Sequence, residues 1–117
     1  MRPRPIMLSA VTRVNRHAAM ADINDAINSL GWIEQHVLFS NIQVNFRFHM
    51  EAAKLPALAE RLDALGVHVD AAASQEIAER VRKAEGKADA AELPASLAVT
   101  FLHNEPDMKR EVPAVPG

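Results

Sequence analysis

The residues of this chain best suited to chemistry crowd into one stretch, WIEQHVLFSNIQVNFRFHM, at positions 32–50. It holds Trp32, Glu34, His36, Asn45, Arg47 and His49. A histidine changes charge near neutral pH and can carry a proton in acid–base work. Arg47 offers a planar fork for a carboxylate or phosphate. Glu34 and Asn45 can pair or orient, and Trp32 supplies a flat apolar surface. The six recur at every second position in two runs, which is the period of a β-strand.

The apolar residues between them set the expected register. Ile42, Val44, Phe46, Phe48 and Met50 alternate, while Ile33, Val37 and Phe39 share a face interrupted by Gln35. An even loop centred on Ser40-Asn41 sets Phe39 opposite Ile42, Val37 opposite Val44 and Ile33 opposite Phe48. A slip of one residue would flip every side chain. Ser-Asn is a weaker turn signal than Asn-Gly, so a four-residue loop of the same register stays open. On the opposite face the register brings Leu38 to Gln43, His36 to Asn45, Glu34 to Arg47 as an ion pair, and Trp32 to His49. His49 then lies four residues beyond the position facing His36, roughly 13 Å at ~3.4 Å per residue. Two imidazoles sharing a zinc ion need nitrogens each ~2 Å from it. His68 and His103 fall on other strands with nothing to bring them in, so no metal and no cofactor is expected.

Three uses of this polar face compete: a solvated surface, an interface with a second copy, and a small-molecule site. The interface is favoured because Trp32, Leu38, Val11 and Leu102 are expected to point outward, and Trp and Arg are enriched in interface hot spots. In the ligand reading Arg47 takes a small anionic molecule or amino acid, with His36 or Asn45 fixing its orientation. A ligand lodged where two subunits meet satisfies both.

Other chemistry has less support. Asp22 and Asp25 neighbour each other on one helix face, but that face points away from the apolar stripe, and a catalytic carboxylate pair needs a desolvated cleft. His17 sits near a helix start, a poor place for an imidazolium. The chain has no cysteine, which excludes disulfides, thiolate metal sites and Cys nucleophiles. It has no G-x-S-x-G, G-x-G-x-x-G or P-loop. A binding protein is therefore expected ahead of an enzyme. The rival is a dimeric enzyme using a histidine of this face for acid–base chemistry.

A net charge of −2 argues against nucleic acid. The basic MRPRP is brief, RVRKAEGK is diluted by Glu, and an RNA-reading sheet would want several aromatics where only Trp32 is offered. MRPRPIMLSAVTRV lacks the apolar run of a signal peptide, and no stretch approaches the ~20 apolar residues of a membrane span. A cytoplasmic protein without a membrane role is expected.

These residues need a scaffold, and 117 residues that are 49% apolar and 24% charged make one domain. With four Phe, one Trp and no Tyr, its core is mainly aliphatic. IMLSAVTRV reads as a strand with Ile6, Leu8, Ala10 and Val14 on one side. Asn15 then caps a helix over 16–30, striped by Met20, Ile23, Ile27 and Leu30 and stopped by Gly31 in a left-handed conformation. After the hairpin, EAAKLPALAERLDALG is a second helix striped by Leu55, Leu58, Leu62 and Leu65, with Pro56 near its start and Gly66 past its end. VHVDA returns to a strand. Ser74 caps a third helix, QEIAERVRKAEG, with Ile77 and Val81 inward and Glu79 pairing with Lys83. A polar KADAAELPA leads to a fifth strand, SLAVTFLH, with Leu97, Val99 and Phe101 alternating. Residues 1–103 thus form one α+β domain, and 104–117 an extended, proline-rich tail.

The order strand, helix, strand, strand, helix, strand is that of a ferredoxin-like βαββαβ antiparallel sheet with helices on one face. The segment Ile6 to Ala71 also resembles an ACT-type regulatory domain, through LPALAERLDALGVHVD and its leucine stripe, Gly66 and following strand. The resemblance spans a little over half the chain and implies a homodimer that binds amino acids or other small effectors. Its turn RVNRHAA lacks the glycine such domains often carry, and the third helix and fifth strand are additions.

Overall fold

In the computed structural model, residues 5–40, 42–84 and 92–102 are described. They form β1 (Ile6–Thr12), α1 (Arg16–Leu30), β2 (Trp32–Ser40), β3 (Gln43–Glu51), a 3-10 turn (Ala52–Lys54), α2 (Leu55–Ala64), β4 (Val67–Val69), α3 (Ala71–Ala84) and β5 (Glu92–Phe101). The protein is α+β, with one five-stranded mixed sheet and three α-helices among the described residues.

The sheet order is β2-β3-β5-β1-β4. Three pairings are antiparallel, but β1 and β5 run parallel from Ile6↔Ala95 to Thr12↔Phe101. The expected all-antiparallel sheet is therefore corrected: the fifth strand enters between β1 and β3, which do not pair with each other. Alternation shows which face a residue takes but not which strand lies beside it. Pro94 precedes the stretch where β1 joins, so β5 is central only from Ala95 onward. Proline is confined to such strand starts because it has no N–H for a second ladder.

One parity of the sheet faces the helices. Ile6, Leu8, Ala10, Val44, Phe46, Phe48, Met50, Ala95, Leu97, Val99 and Phe101 are buried with Ile23 and Ile27 of α1, Leu55, Leu58 and Leu62 of α2, and Ile77 of α3. The helix stripes read from spacing are the packed ones, with Met20, Leu30, Leu65 and Val81 at their margins.

The ends of the helices show more variety than the spacing suggests. Asn15 accepts from the N–H groups of His17 and Ala18, as an N-cap should. Gly31 has an extended backbone (φ −157°, ψ −139°) rather than a left-handed one. Glycine is needed there because a Cβ would lie 2.2 Å from the carbonyl oxygen of His49. Gly66 does take the left-handed form, at φ +86°. The third helix begins at Ala71, before Ser74, because Asp70 takes the capping role: its carboxylate accepts from the Ala73 N–H at 2.8 Å. Glu79 pairs with Arg82 rather than Lys83. The proposed tail, residues 104–117, lies outside the described residues, as does His103.

Candidate functional site

The site is built on β2 and β3, and its geometry turns on two irregularities in β2. Trp32↔His49 and Ile33↔Phe48 pair in the register that the apolar alternation predicts. The ladder then shifts by one residue between Ile33 and Gln35, and again between Leu38 and Ser40. Glu34 and Phe39 are thus extra residues, two β-bulges in an edge strand, where bulges concentrate. Their effects on parity cancel at the turn, where Ser40 pairs with Gln43 across two residues. Position 41 lies outside the described residues.

Between the bulges every side chain of β2 is on the face opposite to the expected one. His36 pairs with Phe46, not Asn45, and so lies on the helix side, its ring 5.9 Å from that of Phe46. Val37 takes its place opposite Asn45 on the open face. Leu38 is exposed, as expected, but pairs with buried Val44 on the helix side. Gln35, not Glu34, is opposite Arg47. The expected Glu34–Arg47 pair is not formed. Glu34 instead reaches His49, Oε1 to Nε2 at 3.1 Å.

The open face consequently gathers four of the six predicted residues in two groups, with Glu34 joining from its bulge. At one end the Trp32 indole and His49 imidazole stack with centroids 4.2 Å apart and planes 10° apart. The indole N–H donates to Glu92 Oε1 at 2.8 Å, while Glu34 holds the imidazole from the other side. In the middle Asn45 Oδ1 accepts from the Ser96 hydroxyl at 2.7 Å. Arg47, exposed and opposite Ser96, has no side-chain partner among the described residues. The strip of β5 between these groups is small: Pro94, Ser96, Ala98 and Thr100. Beyond it, β1 exposes Met7 and Val11. Glu92 falls in a polar segment whose composition reads as a linker; in β5 it faces Glu51 across the ladder.

The displaced His36 belongs to a different feature. With Met20, Ala21, Asn24 and Asp25 of α1 and with Phe46 it lines a cleft of about 290 Å³. Asp25 is exposed, as expected, and it also borders this cleft. His68 pairs with Asp63 at 2.6 Å on an exposed edge. His17 is exposed at the start of α1. No group of three or more His, Asp or Glu side chains converges as a metal site among the described residues. No described helix is long and apolar enough to cross a membrane.

Comparison with family models, with curated proteins and with solved structures finds no match to this chain.

Proposed function

We propose that this chain is a small cytoplasmic, homodimeric ligand-binding or regulatory protein whose open sheet face packs against a second copy. One observation carries the reading: Trp32 is 46% exposed, yet held at two points, by the stacked His49 ring and by Glu92 on its N–H. An indole pinned in one orientation loses little entropy when covered, the property of an interface anchor. Around it the face exposes Met7, Val11, Val37 and Leu102 on a floor of small residues. Five strands at ~4.8 Å spacing and about seven residues of ~3.4 Å give roughly 570 Å² in plan. That approaches the ~800 Å² per partner of a standard interface once side-chain relief is counted.

The ferredoxin-like, ACT-like reading fits in a modified form. With β5 set aside, the remaining order is β2-β3-β1-β4, the neighbour order of a βαββαβ sheet. Arg47 is the group suited to the carboxylate of a small anionic molecule or amino acid. The enzyme alternative narrows to His49, since His36 lies on the other face.

Light scattering over a dilution series, with Trp32 emission recorded in parallel, tests the interface. A dimer with blue-shifted emission that reddens on dissociation is expected. A monomer with red emission at every concentration overturns the reading.

A further inference from the structure

We propose that the cleft between α1 and the middle of β2 binds a small organic cation, an amine carried on a short apolar body. The bulge at Glu34 creates this site by turning His36 toward α1, across from Asn24 and Asp25. The site is separate from the open face, because His36 and His49 lie on opposite sides of the sheet.

The lining divides by chemistry. Met20, Ala21 and Phe46 are the apolar wall and floor, while Asn24, Asp25 and His36 are the polar rim. None of those three polar side chains has a hydrogen-bond or ion-pair partner among the described residues; His36 has only its ring contact with Phe46. Asp25 is the one carboxylate among the described lining residues, and no Lys or Arg shares it. A cation is therefore favoured over an anion. An ammonium can donate to the Asp25 carboxylate and the Asn24 carbonyl together, and His36 can accept a third hydrogen bond or lie against the ligand body. The 290 Å³ available is at the small end of ligand pockets. It suits a body the size of one ring.

Phenethylamine is a suitable probe, and 3-phenylpropionate its anionic counterpart of similar shape. With about nine non-hydrogen atoms the amine should bind in the millimolar range. In ¹H–¹⁵N NMR titrations of the full chain, the amine is expected to give saturable shifts centred on Ala21, Asn24, Asp25 and His36. The propionate should leave these signals in place. Asp25→Asn, an exposed helix substitution that leaves the core intact, should weaken the amine about tenfold. Asp22→Asn, one turn away, should change it by less than about twofold. Equal shifts from both probes, unchanged affinity in Asp25→Asn, or no saturation up to about 10 mM would overturn the proposal.

Discussion

The Trp32 indole lies almost parallel to the His49 imidazole, 4.2 Å away, across the first rung of the β2–β3 ladder. The pair is flanked by two carboxylates, Glu92 on the indole N–H and Glu34 on the imidazole. Cross-strand aromatic pairs contribute up to about 1 kcal/mol. His49→Ala should lower unfolding free energy by about that much and change Trp32 emission in the folded state.

A double-mutant cycle separates the observed from the expected ion pair. Glu34 with His49 should couple by about 0.5 kcal/mol at a pH where the imidazole is charged, whereas Glu34 with Arg47 should couple within error of zero. The reverse result would mean that the first bulge of β2 is absent in solution.

The two helix-ending glycines should respond differently to alanine. At Gly31 the new Cβ meets backbone, the His49 carbonyl oxygen at 2.2 Å, so β3 must move. A cost of about 3 kcal/mol is expected, at the upper end of overpacking. At Gly66 the nearest atom is the Val14 Cγ2 at 2.9 Å, the end of a side chain, and the main penalty is the positive φ. About 1–2 kcal/mol is expected there. Denaturant midpoints at constant m-value give the comparison, and an equal or inverted order would contradict the packing at Gly31.

Asp70 makes stability depend on pH at the acid end. Its carboxylate accepts from the Ser9 hydroxyl and from the N–H groups of Ala73 and Ala72, which hold its pKa below the ordinary 3.8. A carboxylate depressed on folding stabilises the protein above its unfolded pKa, and that contribution disappears as pH falls through the lower folded value. Stability should therefore begin to fall near pH 4 and go on falling below it. Asp70→Ala should flatten this limb and, through the lost cap on α3, cost about 1 kcal/mol at neutral pH. An acid limb identical in the variant would remove Asp70 from the account.

The helices were legible because their signals are local. The Ile23/Ile27 and Leu55/Leu58/Leu62 stripes, the Asn15 cap and the stop at Gly66 each depend on residues within a turn or two. The Trp32–His49 end of the site was legible for the same reason, since the alternation of β3 is unbroken. His36 was misplaced because a bulge keeps no period. Two features of β2 break strict alternation, Gln35 in the apolar row and the consecutive Val37, Leu38 and Phe39. They mark the stretch where β2 leaves its register. The cleft could not be anticipated, because it needs that displaced histidine to meet a flank of α1, and no periodic signal marks that contact.

The placement of β5 bears on how the chain acquires its shape. Without it, the ladders β2–β3 and β4–β1 share no hydrogen-bonded neighbour, and both β1 and β3 present an open edge. The chain must supply some eighty residues beyond β1 before the strand that joins them arrives, as the Leu8↔Leu97 pairing illustrates. Contacts so distant in sequence slow folding, because the loop entropy is lost before the contact rewards it. On the ribosome, the two half-sheets must wait for their central strand with unpaired backbone edges and an uncovered apolar face, the interval in which a nascent chain is most open to chaperone capture or to pairing with a neighbour.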